Sequence, residues 1–299
     1  MRVLQSSFVS LLLLLFLHTL CLAEGEKPDT GQQDSTRYMV NPVVQQYNNS
    51  LTGILKTTTF LYDDFSAMLT SPFRMDKSDL LKMCGVLATF GVMFSYDQEL
   101  YDAMQRNRDN RVYKKVLEVG NFFEPVGLTR NTHPYYLAGF FTGYLVHCPK
   151  MQEASVQLLE SMIFEGNTRV GIMHPLFGRS RPSKDQGPYF FQLNGDRSFP
   201  SGHTSNIFQL ATILSHHVDN TLFSILAYGI ATTVGLQRID YKSHWPSDVF
   251  MGAVYGITVS RGIIYLHEQR KLNVSPHVSM IENTPVLGLT FNLDSNTKK

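Results

Sequence analysis

Three short clusters in the second half of the chain hold residue types that can handle a phosphoryl group. They are Gly178-Arg179-Ser180-Arg181-Pro182, Ser198-Phe199-Pro200-Ser201-Gly202-His203, and the segment from Arg238 through His244 to Asp248. Ser201-Gly202-His203 stands where a helix opens, and the free N–H groups and dipole of a helix start favour an anion. Gly202 lets the backbone approach that anion closely, and Ser201 can donate its hydroxyl to it or cap the helix. His244 and Asp248 lie four residues apart at the next helix start, so their side chains share a face. A carboxylate on one imidazole nitrogen would leave the other free and nucleophilic. Arg181 and Arg238 add guanidinium groups, which match phosphate oxygens two at a time. Alone, each cluster has an ordinary structural explanation: a capping serine, a structural histidine, a solvated arginine. Together they offer an anion cradle, a nucleophile with an orienting carboxylate, and a second histidine to protonate a leaving group. Phosphoryl transfer needs that set.

These residues have to be held by helices. Apolar spacing predicts helices around Leu51–Leu69, then from Ser78 as cap to Phe94, then from Met151 with Leu159, Met162, Ile163, Gly166, Val170 and Met173 on one face. His174-Pro175 should end the last of these, because proline disfavours helix in the residue before it. A Gly- and Pro-bearing loop follows, and helices resume at Ser201–His217, Leu222–Arg238 and Pro246–Gln269. The charged stretch Asp97–Lys115, with Arg106, Arg108 and Arg111, reads as solvated surface. Near the C-terminus the period changes to two on either side of Glu282-Asn283-Thr284-Pro285, which reads as a small β-hairpin. The fold class expected is all-α, a helical bundle with that hairpin appended.

Arg2, the apolar stretch Phe8–Leu20 and the small Ala23 read as a secretory signal over residues 1–23, followed by a flexible lead-in at 24–49. The helical domain then covers 50–270, and hairpin and tail cover 271–299. The longest later apolar runs are Leu80–Phe94, Tyr135–Cys148, Leu222–Val234 and Val249–Leu266. Three are shorter than the roughly 20 residues of a bilayer span, and the fourth contains Arg261. A soluble, exported protein of the periplasm or exterior is the expectation, without a transmembrane anchor but open to peripheral membrane contact. Cys84 and Cys148, both in apolar surroundings, read as buried thiols. A net charge of +1 over 299 residues gives no footprint for nucleic acid.

The clusters resemble the signature of the type 2 phosphatidic acid phosphatase and vanadium haloperoxidase superfamily. That signature is Lys-x6-Arg-Pro, then Pro-Ser-Gly-His, then Ser-Arg-x5-His-x3-Asp, and the likeness runs from about His174 to Gly256. The resemblance implies a helical bundle of the acid phosphatase and haloperoxidase type, with its site at one end. It implies that Arg181, Ser201, Gly202 and Arg238 bind phosphate, His203 protonates the leaving oxygen, His244 is the nucleophile and Asp248 its partner. It also implies no metal and no cofactor for a phosphatase. Vanadate would be needed only by a haloperoxidase, which is the alternative enzyme; a non-catalytic binder of phosphate or lipid head groups is the alternative outside enzymes. The substrate class is a phosphorylated small molecule or lipid. Two positions depart from the pattern. His174 stands in the phosphate-binding place of the lysine, which predicts one positive charge fewer and a more acidic optimum. Gln237 stands where the serine before Arg238 would be.

Overall fold

A computed structural model describes residues 62–270, with the backbone alone of residues 272–281 and 284–293. The expected signal, the lead-in and the start of the Leu51–Leu69 helix lie outside the described residues, while residues 62–70 are helical. The helices that follow are α1 (Lys77–Ser95), α2 (Asp97–Arg106), α3 (Arg111–Phe123), α4 (Thr129–Leu145) and α5 (Pro149–Thr168). After a π turn at Arg169–Met173 come α6 (His174–Phe177), α7 (Gly202–Val218), α8 (Thr221–Asp240) and α9 (Pro246–Arg270). Strands β1 (Leu272–Ile281) and β2 (Thr284–Leu293) pair antiparallel, Leu272 opposite Leu293.

Local chemistry accounts for the helix starts. The Asp76 carboxylate accepts the Asp79 N–H at 2.8 Å and caps α1, in place of the expected Ser78. Asn110 and Asn220 cap α3 and α8 in the same manner. Pro175 does not end a helix as expected. It sits in α6, directly after the π turn, within a helical run that continues to Phe177, and the chain breaks instead at Gly178 with φ of +50°. A Cβ at Gly178 would collide with the Gln192 carbonyl, so only glycine fits there.

α7 is the centre of the bundle, with α5, α8 and α9 packed around it. Its Ile207, Leu210, Ala211, Ile213 and Leu214 meet Met151, Ala154 and Leu158 of α5 and Ala231 and Val234 of α8. Gly252 and Gly256 let α9 lie on the backbone of α7, where a Cβ would strike the carbonyls of Ser201 and Ser205. On α5, Leu159 and Met162 pack on the core, but Ile163 and, in the π turn, Val170 of the expected apolar face are exposed. Asp97, at the head of the segment read as solvated, is fully buried. Arg108 of that segment donates two 2.8 Å hydrogen bonds to the buried Asp240. Neither cysteine is the buried thiol expected: Cys84 is exposed and free, and Cys148 is buried but disulfide-bonded.

The expectation of a soluble exported protein without an anchor is corrected by the helices themselves. Lys77–Ser95, Thr221–Asp240 and Pro246–Gln269 are each long and apolar enough to cross a membrane. The unbroken apolar runs omit the flanking residues that complete each span, and about 20 residues in a helix reach the roughly 30 Å of a hydrocarbon core. α1 buries none of its residues, and Leu81, Leu87 and Val92 stand 75%, 51% and 61% exposed. Leu222, Ile225 and Leu226 on α8 are as open. In water such faces would be a large aggregation-prone patch; against lipid they are at home.

Candidate active site

The site forms at one end of the bundle, where α7 and α9 begin, α8 ends, and the loop 178–201 folds back across them. Ser180 N–H donates to the Phe190 carbonyl at 3.0 Å and Gln192 N–H to that of Gly178 at 3.2 Å, which closes the loop on itself. His244 sits in the turn between α8 and α9, 4% exposed. Its Nδ1 lies 2.6 Å from the Ser198 carbonyl oxygen. A carbonyl only accepts, so Nδ1 carries the proton and Nε2 keeps its lone pair. Burial above all, then the charge of Arg181, holds the imidazole well below the ordinary histidine value, although the bond to Ser198 offsets part of this. The ring is neutral at physiological pH.

Asp248 does not touch that ring as expected. One oxygen accepts Arg179 Nη1 at 2.7 Å; the other accepts Ser198 Oγ at 2.6 Å and Trp245 N–H at 2.9 Å. It thus fixes Ser198, and Ser198 fixes His244 through its carbonyl. At the start of α9 the carboxylate points towards the loop rather than along its own helix, because Arg179 draws it there. Arg179 also bonds Asp97 at 2.6 Å, Ser247 Oγ at 2.8 Å and the Pro188 carbonyl at 2.8 Å, and is completely buried. Asp97 in turn accepts the Ser247 N–H at 2.8 Å. Sequence reasoning gave Arg179, Asp97 and Ser198 no role. An arginine inside a cluster was the available signal, but its distant partner was not readable.

Ser201 and Gly202 begin α7 as expected, with Ser201 Oγ 2.9 Å from Thr204 Oγ1. His203 Nε2 lies 3.1 Å from Glu124 Oε1, and Arg238 Nη1 lies 3.2 Å from the same oxygen. Burial lowers the His203 pKa, and the Glu124 hydrogen bond works against that. Glu124, another residue the sequence did not flag, thus links the expected acid to an expected phosphate ligand. Gln237 accepts Arg238 Nε at 2.6 Å and donates to Asn121 at 2.8 Å, so the substituted position orients the arginine. Arg181 is the most open of the group, 37% exposed, with Asp196 3.6 Å away.

His174 is buried against Arg169, its Nε2 3.4 Å from Nη1. Burial first, then the charges of Arg169, Arg197 and Arg181, push its pKa down to about 4. A neutral His174 cannot set an alkaline limb near pH 7, which removes the reason for expecting an acidic optimum from it. His244, His203, Arg181, Arg238, Ser201, Gly202 and His174 are brought to one end of the bundle, and Asp248 supports them from behind.

Residues 154–272 match the PAP2 superfamily, and the signature geometry lies within or beside α5 to α9. Lipid A 1-phosphatase of Porphyromonas gingivalis is 36% identical over 85 residues, which is 28% of this chain and 17% of that protein. Lipid phosphate phosphatase 2 of Arabidopsis thaliana is 40% identical over 80 residues, 22% of this chain and 27% of its own. The chain therefore spans less than a third of the length of either relative. The crystal structure of a transmembrane PAP2 type phosphatidylglycerolphosphate phosphatase from Bacillus subtilis covers 62% of this chain and 95% of its own, at 19% identity and a TM-score of 0.43. That of Aquifex aeolicus LpxE covers 56% and 94%, at 20% identity and a TM-score of 0.40.

Proposed function

We propose that this protein is a membrane-embedded phosphatase that removes phosphate from a lipid phosphate or diphosphate through a phosphohistidine on His244. The observation that carries the reading is the 2.6 Å contact from His244 Nδ1 to the Ser198 carbonyl, which leaves the lone pair on Nε2. In the first step Nε2 attacks phosphorus, the P–O bond to the alcohol breaks, and His203 gives the leaving oxygen its proton. In the second step water attacks the phosphohistidine, passes a proton back to His203 and releases inorganic phosphate. Arg181, Arg238 and the first N–H groups of α7 hold the oxygens, whose charge grows in the transition state. The lipid class is supported by the names of the relatives and by the exposed apolar faces of α1 and α8. Within the proposal, residues 50–270 form the phosphatase domain, with residues 1–23 as a signal segment before it and 271–299 as an appended hairpin and tail.

The test uses the full chain purified in detergent and assayed for phosphate release from phosphatidate, a prenyl diphosphate, lipid A and p-nitrophenyl phosphate. Release from at least one lipid, its loss in His244→Ala with folding retained, and a phosphoramidate trapped on the wild type are expected. Substantial turnover by His244→Ala would overturn the mechanism. Preference for the water-soluble ester over every lipid would overturn the substrate class.

A further inference from the structure

Arg169 lies outside the three clusters, yet its guanidinium reaches the centre of the site. α5 gives way at this residue to the π turn Arg169–Met173, and widening a helical turn changes which side chains share a face. In an unbroken α-helix, residues five apart would point about 140° away from each other. Here Arg169 Nη1 comes within 3.4 Å of His174 Nε2. The guanidinium also lies directly against Gly202: a Cβ on that glycine would sit 2.6 Å from its Cζ, 2.7 Å from Nη1 and 2.8 Å from Nη2. Gly202 is the first residue of α7, so this charge stands at the helix start that favours an anion.

The other edge of the guanidinium is held. Nε bonds Glu165 Oε1, and Nη2 lies 3.4 Å from Oε2 of the same buried carboxylate. The side chain is 13% exposed, so it is anchored by one edge without being sealed off. Its charge reaches both His174 and His203, as Arg181 and Arg238 reach His244. The cradle is therefore not short of a cation, although the lysine position holds a histidine.

We propose that Arg169 is a phosphate-binding residue and supplies, from the π turn, the positive charge that the signature lysine would supply from position 174. Gly202 has no side chain at the place where the guanidinium lies, and His174, at the lysine position, stands 3.4 Å from it. The proposal deepens the phosphatase reading, and for turnover it rests on that reading. Its claim on anion binding stands apart from it.

The test is made on the full chain in detergent, with orthovanadate affinity and kcat/KM as separate readouts. Arg169→Gln alone would leave Glu165 buried without its partner, so Glu165→Gln/Arg169→Gln is made beside it and checked for an unchanged melting profile. The double variant is expected to bind orthovanadate at least about tenfold more weakly and to lose on the order of 10²–10³ in kcat/KM. Adding His174→Lys to it returns an ammonium to the site and is expected to recover at least about tenfold of both losses. A double variant within about threefold of wild type on both readouts, or no recovery with His174→Lys, would overturn the proposal. If His244→Ala turns over normally while the vanadate affinities still follow this order, the phosphohistidine reading fails and the Arg169 site stands.

Discussion

Two sets of arginines lie within the same end of this bundle, and they do opposite things. Arg179 is completely buried and bonded to Asp97, Asp248, Ser247 and the Pro188 carbonyl, so its donors are directed at the protein itself. Arg181 and Arg238 keep 37% and 10% of their side chains open; Arg181 has Asp196 beside it, and Arg238 is held at Nε by Gln237 and at Nη1 by Glu124. A guanidinium in the first situation clamps the loop 178–201 onto α2 and α9; those in the second are the ones proposed to meet phosphate oxygens. Residue type and sequence distance do not tell them apart, since Arg179 and Arg181 are two positions from each other. Saturation of their hydrogen bonds does.

The comparison breaks most visibly at Arg179. Arg179→Met strands two buried carboxylates and is expected to cost about 3–5 kcal/mol, read as a loss of thermal midpoint and of soluble yield in detergent. Arg238→Met removes a proposed phosphate ligand rather than a clamp. It should keep the melting profile near wild type and lower kcat/KM on the order of 10²–10³-fold. Should Arg238→Met unfold while Arg179→Met stays active, the two sets have been assigned the wrong way round.

Ser198→Ala sharpens the difference between support and chemistry. Losing the 2.6 Å bond to Asp248 should cost about 1 kcal/mol of stability, while kcat falls roughly tenfold with KM little changed, because the carbonyl that holds His244 is no longer pinned. An unaltered kcat would mean that Asp248 supports His244 by another route. The pH dependence of folding is a smaller effect with a definite sign. His174, His203 and His244 all have folded pKa values lowered by burial. Between the ordinary histidine pKa of about 6.5 and those lower values, the unfolded chain binds more protons, so stability is full above that range and is lost as pH falls through it. The thermal midpoint should drop by a few degrees from pH 7 to pH 5, and His174→Gln should flatten that drop. A midpoint that rises on acidification would contradict the burial of these rings. At the bottom of the scale, Lys82→Ala removes an ion pair whose partners are 72% and 50% exposed, and a change within about 0.5 kcal/mol is expected.

Much of the site was legible because the chemistry is local. Ser201-Gly202-His203 opens a helix as its residue types require, and His244 precedes Pro246 at another helix start. The missed residues share a cause: Asp97 lies 82 positions from Arg179 and Glu124 lies 79 from His203, separations over which no periodicity carries information. The error about solubility has a different origin. The length of an unbroken apolar run is not what a bilayer responds to; it responds to the length of a helix and the average character of its faces.

The sequence by itself determined the residue types in the cradle, their order, and the helices whose starts present them, because spacing and capping act within a few residues. Only the tertiary structure decided which arginine is sealed and which is open, that Asp248 reaches His244 through the Ser198 backbone, and that Arg169 stands beside Gly202. Those outcomes depend on which distant groups satisfy each buried charge. A buried charge takes the partners that packing places within reach, and packing is settled by the whole chain.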